Sequence, residues 1–175
     1  MNYTEYIVEE LKNLVSIHSP SGFTKEVSEF VMTKLRELGY APTLTKKGGV
    51  LCDLGGTDLA DGLLMTAHID TLGGMVKEIK PNGRLRISPI GGLQPHNTEG
   101  ENCTIITRFD GNFSGTLQLD SPSVHVNKDY ATSERTFDTM EVVIDETVSS
   151  KEDTIRLGIS VGDYVCFDPR MVVTP

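Results

Sequence analysis

The hydrophobic spacing of this chain changes period near residue 40, and that change limits the folds open to it. Up to Leu38, apolar residues recur at helical spacing. Ile7, Leu11, Leu14 and Val15 share one face, while Glu9, Glu10, Lys12 and Asn13 fall mostly on the other. Asn2 followed by Glu5 can cap the start of this helix, and Ser19-Pro20-Ser21-Gly22 ends it. A second helix is expected from Thr24, with Val27, Phe30, Val31, Leu35 and Leu38 as its inner face and Gly39 as its stop.

From Tyr40 onward the period is two. Ala41–Thr45 and Gly49–Leu54 read as strands around a Lys46-Lys47-Gly48 turn. Leu63-Leu64-Met65-Thr66-Ala67 is an apolar run between turns, and predicts a strand buried on both faces. Residues 1–70 thus read as the opening of an α/β sheet covered by helices. From Gly73 to about Asp163 no helical period is present. Pro81-Asn82-Gly83 joins Met75–Lys80 to Arg84–Ile90, and Asp110-Gly111 joins Cys103–Phe109 to Phe113–Leu119. Met140–Ile144 alternates, and Ile159–Phe167 contains a Val-Gly-Asp turn. Short strands at this spacing predict a small barrel or sandwich, with Gly73-Gly74 and Gly91-Gly92 as joints. The run from Asp145-Glu146 to Lys151-Glu152-Asp153 reads as a solvated loop.

Composition narrows the function classes. The formal net charge is −9 over 175 residues, with no Lys/Arg cluster, which argues against nucleic acid and anionic membrane surfaces. The first 17 residues lack the basic and apolar regions of a signal peptide, and no apolar run approaches a membrane span. Cys52, Cys103 and Cys166 are odd in number and far apart, so they read as buried small hydrophobes in a reducing compartment, the cytoplasm.

The chemistry-bearing pattern is His68-Ile69-Asp70, directly after the apolar run. In open α/β sheets, ligands gather at the carboxyl ends of strands. A neutral imidazole there can ligate zinc, and an acid two residues on can accept its other ring N–H, fixing the tautomer. His96 reads as a surface or interface residue, His125 as a packed strand residue, and His18 as a helix-end residue that suits the dipole. None has a partner at ligand spacing, so none is assigned a metal role. The glycine turns lack a phosphate-binding frame, and Ser21 lies in no GxSxG elbow.

Around this pattern, Leu64-Met65-Thr66-Ala67-His68-Ile69-Asp70-Thr71-Leu72-Gly73-Gly74-Met75-Val76 resembles the first metal motif of the glutamyl/deblocking aminopeptidases. These are cytosolic dinuclear-metal exopeptidases that form large tetrahedral shells. Ser19-Pro20-Ser21-Gly22 is similar to an early Pro-Ser-Gly loop of that family, Ile90-Gly91-Gly92 to the Gly-Gly step of its inserted domain, and Val161-Gly162-Asp163-Tyr164-Val165-Cys166-Phe167-Asp168-Pro169 to its return into the catalytic domain, in the same order. The resemblance implies an α/β fold: the start of a helix-covered zinc-exopeptidase sheet with an inserted, all-β, barrel-like dimerisation domain. Residues 1–72 would be the first part of the catalytic domain and 73–163 the inserted domain. Residues 164–175 would be the return strand into the catalytic domain.

The resemblance also implies roles. His68 would be a metal ligand, and Asp70, which orients it, catalytic. Thr71 departs from relatives that carry an acid there, which changes the polarity of the site. The complete enzyme would hold two divalent metals, zinc or cobalt, and act on peptides as a homo-oligomer assembled through the inserted domain. The family's remaining acidic ligands, general-base Glu and late His have no counterpart here. The chain is therefore expected to be an amino-terminal half, cut by truncation, by proteolysis or in the gene itself. Such a half would be inactive and metal-poor, since one His cannot hold zinc tightly. Two functions from different classes stay open: a metallo-aminopeptidase fragment, and a non-catalytic module that self-associates or binds a partner. Glycoside hydrolysis would need two facing carboxylates, and no such pair stands out.

Overall fold

Helix α1, Tyr3–Ser16, begins in the computed structural model where the sequence places a cap: the Asn2 side chain accepts from the Thr4 N–H at 3.2 Å. The structure describes residues 2–58 and 60–174, so the expected outer limits, Met1 and Pro175, lie outside the described residues. Helix α2, Lys25–Glu37, closes with Gly39 in the left-handed region, its φ +89°. The Gly39 N–H donates to Arg36 and the Tyr40 N–H to Leu35, so two carbonyls of the last turn are satisfied. An antiparallel pair follows, β1 (Thr43–Leu44) with β2 (Val50–Leu51), shorter than expected but around the expected turn.

These elements, up to Thr71 and with the residues from Val173, form one compact unit; Leu72–Val172 form the other. The first unit differs from expectation in one respect that bears on the site. Leu63–Ala67 is not a buried strand: it has no regular secondary structure, and Leu63, Leu64 and Met65 are 87%, 77% and 78% exposed. A strand buried on both faces needs a ladder partner on each side. No described residue supplies one, and the parallel pairing present is a single bridge between Pro20 and Thr71.

The second unit is a closed barrel of six antiparallel strands. They are β3 (Gly73–Ile79), β4 (Leu85–Ile90), β5 (Asn102–Ile106), β6 (Asn112–Leu119), β7 (Met140–Ile144) and β8 (Tyr164–Phe167). Their order around the barrel is β3-β4-β7-β6-β5-β8, closed by β8 on β3. Both expected hairpins are present, the first with a bulge between Val76 and Glu78. Leu85, Ile87, Ile105, Leu117, Met140, Val142 and Val165 alternate inward and fill the core. Gly74 must be small here, because a Cβ would meet Ile87 Cδ1 at 2.9 Å.

Four expectations are corrected in this unit. Tyr164–Phe167, expected to return to the first unit, instead completes the barrel as β8, pairing with both β3 and β5. Gly91-Gly92 lies inside the unit and is no joint. The expected acidic loop holds a helix, α3 (Lys151–Arg156), whose Ser150 and Asp153 form a reciprocal capping box. His125 lies in an exposed turn and not in a strand. Cys103 and Cys166 are buried as expected, whereas Cys52 is half-buried.

Charge is also placed inside. Glu141 on β7 is 1% exposed, and it pairs with Lys80 and Arg84. Asp120 bridges Lys80 at 3.1 Å and Arg86 at 2.6 Å. Burial opposes ionisation of Asp120, but hydrogen bonds from Arg86 and Lys80 outweigh it and hold the carboxyl below its ordinary range. Removing one partner of such a set leaves an uncompensated buried charge.

Two predictions test this fold. Burial pushes the Cys103 and Cys166 thiols up to about 12, with nearby Asp168 and Asp145 adding to the effect on Cys103. An alkylating reagent at about pH 8 should label Cys52 in the native protein and the other two only after unfolding. Equal labelling of all three by mass spectrometry would contradict the burial. At α3, Ser150→Ala should cost about 1 kcal/mol in denaturant unfolding. Asp153 is held at about 2, below its ordinary 3.8, chiefly by the Ser149 backbone and Ser150 side chain. A depressed folded pKa gives stability that is complete above the unfolded value and fades as pH falls through the folded one. The gap between wild type and Asp153→Asn should therefore shrink from about pH 4 to about pH 2. A gap constant over that window would remove the capping carboxylate as its cause.

Candidate functional site

The loop after α1 is pinned to the residues that follow His68. Ser19 is fully buried; its carbonyl accepts from the Thr71 N–H at 2.9 Å. Its hydroxyl lies 3.2 Å from the Ile69 carbonyl and 3.4 Å from the Thr71 hydroxyl. The Phe23 N–H bonds back to the Pro20 carbonyl at 2.7 Å, and Gly22 takes φ +92°, where a side chain would be strained. Ser19 and Pro20 thus lie alongside residues 69–71, which sets Ser21 against Asp70.

Three side chains then form a chain of hydrogen bonds. The Ser21 hydroxyl donates to Asp70 Oδ2 at 2.5 Å. His68 Nδ1 is 3.2 Å from Asp70 Oδ1 and 3.1 Å from the Asp70 carbonyl oxygen. Both of those oxygens can only accept, so Nδ1 carries the proton, and in the neutral ring Nε2 then holds the lone pair. Nε2 has no hydrogen-bond partner among the described residues, and the ring is 87% exposed. The Ser21 hydroxyl lowers the Asp70 pKa most; burial opposes it, and His68 adds to the lowering. Asp70 is therefore ionised at neutral pH and available as the acceptor that orients His68.

The group borders a cleft of about 500 Å³ within the first unit. Ser28 and Val31 of α2 and the Lys47-Gly48-Gly49 turn form its other walls, joined by a Ser28 hydroxyl bond to the Gly48 carbonyl at 2.9 Å.

Of the two residues singled out from sequence, His68 and Asp70, the structure brings both into one hydrogen-bonded pair. His18, half-buried, lies just beyond the α1 C-cap, Ile17; His96 is exposed in a 3-10 turn, Pro95–Asn97. Among the described residues no group of three or more His, Cys, Asp or Glu side chains could hold a metal ion. The donor chemistry at His68 nonetheless suits one position on a metal: an oriented imidazole with a free Nε2. Sequence reasoning placed Thr71 at the site and missed Ser19 and Ser21 as parts of it. The Pro20-Ser21-Gly22 turn was visible, but not its docking against residues 69–71.

Comparison with known proteins agrees with this fold. YhfE of Bacillus subtilis (strain 168), named "Putative aminopeptidase YhfE", is 45% identical over 167 residues, 95% of this chain and 48% of its own length. The solved aminopeptidase from the archaeon Desulfurococcus kamchatkensis superposes with a TM-score of 0.83 at 24% identity. That match covers 99% of this chain and 46% of the archaeal one. The TET1 peptidase of Pyrococcus horikoshii superposes with a TM-score of 0.74 at 21% identity, covering 91% and 46%. The chain spans about half the length of these proteins. No helix among the described residues is long and apolar enough to cross a membrane. Residues 48–175 match the M42 glutamyl aminopeptidase family, and the chain belongs to that family.

Proposed function

We propose that these residues supply the first metal-binding portion of a metallo-aminopeptidase, which removes N-terminal residues from peptides by a metal-activated water. The observation that carries this reading is the Ser21–Asp70–His68 arrangement, which leaves His68 Nε2 as a free, oriented donor. His68 would be a ligand of one of two divalent metals, zinc or cobalt. Asp70 would hold the imidazole in its Nδ1–H tautomer and raise its basicity. When bound, the metals would supply an activated water and Lewis-acid polarisation of the scissile carbonyl. The remaining ligands and the general base would come from residues outside these 175, so the chain by itself would be inactive. Residues 1–72 would be the first part of the catalytic domain, working in the cytoplasm on unblocked peptides.

Calorimetric zinc titration tests this. The 175-residue chain should bind zinc weakly, and His68→Ala should abolish what binding there is. Incubated with zinc and an unblocked peptide, it should release no N-terminal residue. Tight stoichiometric zinc unaffected by His68→Ala would remove His68 as the ligand. Metal-dependent release by these residues alone would overturn their inactivity.

The barrel would serve homo-oligomerisation. Phe109, Val126 and Val161 of the second unit stand 81%, 77% and 64% exposed and would supply apolar contacts to a second copy. By its title, the Pyrococcus horikoshii TET1 peptidase can assemble into a tetrahedron or a large octahedral shell. Sedimentation of this chain at rising concentration should show self-association that Phe109→Asp or Val126→Asp weakens. A monomer at every concentration would count against the barrel as an assembly surface.

A further inference from the structure

We propose that Ser21 is a positioning residue for the candidate metal ligand: its hydroxyl fixes the Asp70 carboxylate, which in turn selects the His68 tautomer that presents Nε2. This inference rests on the reading of His68 as a ligand, and extends it to a residue in another part of the chain.

Asp70 follows a segment without regular secondary structure, so its own backbone does little to hold its carboxylate. A carboxylate on such a segment rotates freely unless something grips one oxygen. Ser21 grips Oδ2 at 2.5 Å, within the short range of hydrogen bonds to an ionised acceptor. That leaves Oδ1 as the oxygen facing His68 Nδ1. Ser21 is itself held. Ser19, two residues before it, is buried and bonded to both Ile69 and Thr71, and the Pro20–Thr71 bridge lies between. Gly22 turns the chain immediately after. The serine is thus fixed from both sides against the acid it grips, whereas His68 is solvent-exposed and has no packing to orient it. Orientation of the imidazole therefore passes through the hydrogen-bond chain and not through sterics. Without the Ser21 hydroxyl, the Asp70 carboxylate would turn toward solvent and leave His68 Nδ1 with the Asp70 carbonyl oxygen alone as acceptor, so a larger share of the ring would take the Nε2–H tautomer that neutral histidine favours in water. That form has no lone pair on the outward nitrogen.

Long-range proton–nitrogen correlation NMR of the histidine side chains tests this directly. Spectra of the metal-free chain are taken at about pH 8, above the ordinary histidine value of about 6.5, with His68→Gln giving the assignment. Wild type should show His68 mainly as the Nδ1–H form. Ser21→Ala should shift it to a mixture richer in Nε2–H, and Ser21→Thr, which keeps a hydroxyl, should restore the wild-type pattern. If Ser21→Ala disturbs the backbone amide spectrum of residues 3–71, Ser21→Cys replaces it, since a thiol keeps the shape and donates weakly. A wild-type tautomer pattern in the folded Ala or Cys variant would overturn the proposal. So would failure of Thr to restore the pattern.

Zinc sulfate added to the same samples separates this proposal from the reading beneath it. Zinc should perturb His68 Nε2 in wild type, with affinity about tenfold lower in Ser21→Ala. A Ser21-dependent tautomer without any zinc response would uphold the positioning of His68 and remove its metal role. An equal zinc response in both proteins, with an unchanged tautomer, would keep the metal role and remove Ser21.

Discussion

Gly73 and Cys166 stand near opposite ends of the second unit in sequence and are ladder partners in space. That pairing of β3 with β8 closes the barrel, and β8 is paired on its other side with β5. A sheet of six strands left open would expose two edges of unpaired backbone; closure removes both. The turn before β8 helps set the register. The Val76 N–H bonds to the Asp163 carbonyl, and the Gly162 N–H bonds back to the Val76 carbonyl, close to the bulge in β3. Asp163 also accepts from the Ser160 N–H, so the turn is held from within as well. The buried core depends on this closure, because Val165 and Cys166 of β8 are part of its wall.

The first unit rests on a different principle. α1 buries none of its residues fully, and Leu63, Leu64 and Met65 face solvent. Order around the candidate site comes mainly from hydrogen bonds between residues 19–21 and 69–71, with Ser19 buried at their centre. Such bonds each contribute modestly, about 1 kcal/mol. They are directional, however, and direction is what an exposed imidazole lacks. The same contacts that hold the loop leave Asp70 ionised and His68 with one free nitrogen.

The sequence carried local structure well where one residue type has one physical use. Gly39 closed α2 because the left-handed C′ position suits glycine, and Asn82-Gly83 and Asp110-Gly111 turned their hairpins for the same reason. It misled where a pattern needs a partner to become structure. Leu63–Ala67 has the composition of an inner strand, but its pairing would have to come from elsewhere. The capping box at Ser150 and Asp153 was legible by rule and was outweighed by the charge of its surroundings. β8 was identified as a strand and assigned to the wrong unit, since alternation marks a strand without naming its neighbours.

The chain's sequence by itself determined the change from helix to strand, the hairpin turns, and the His68-Ile69-Asp70 pattern with its family resemblance. Those are decided by contacts within a few residues or by residue identity. Only the tertiary structure decided that β8 closes the barrel, that Glu141 lies buried between Lys80 and Arg84, and that Ser21 reaches Asp70. Each of these joins residues far apart in sequence, and local periodicity holds no information about which distant segment the chain will fold against.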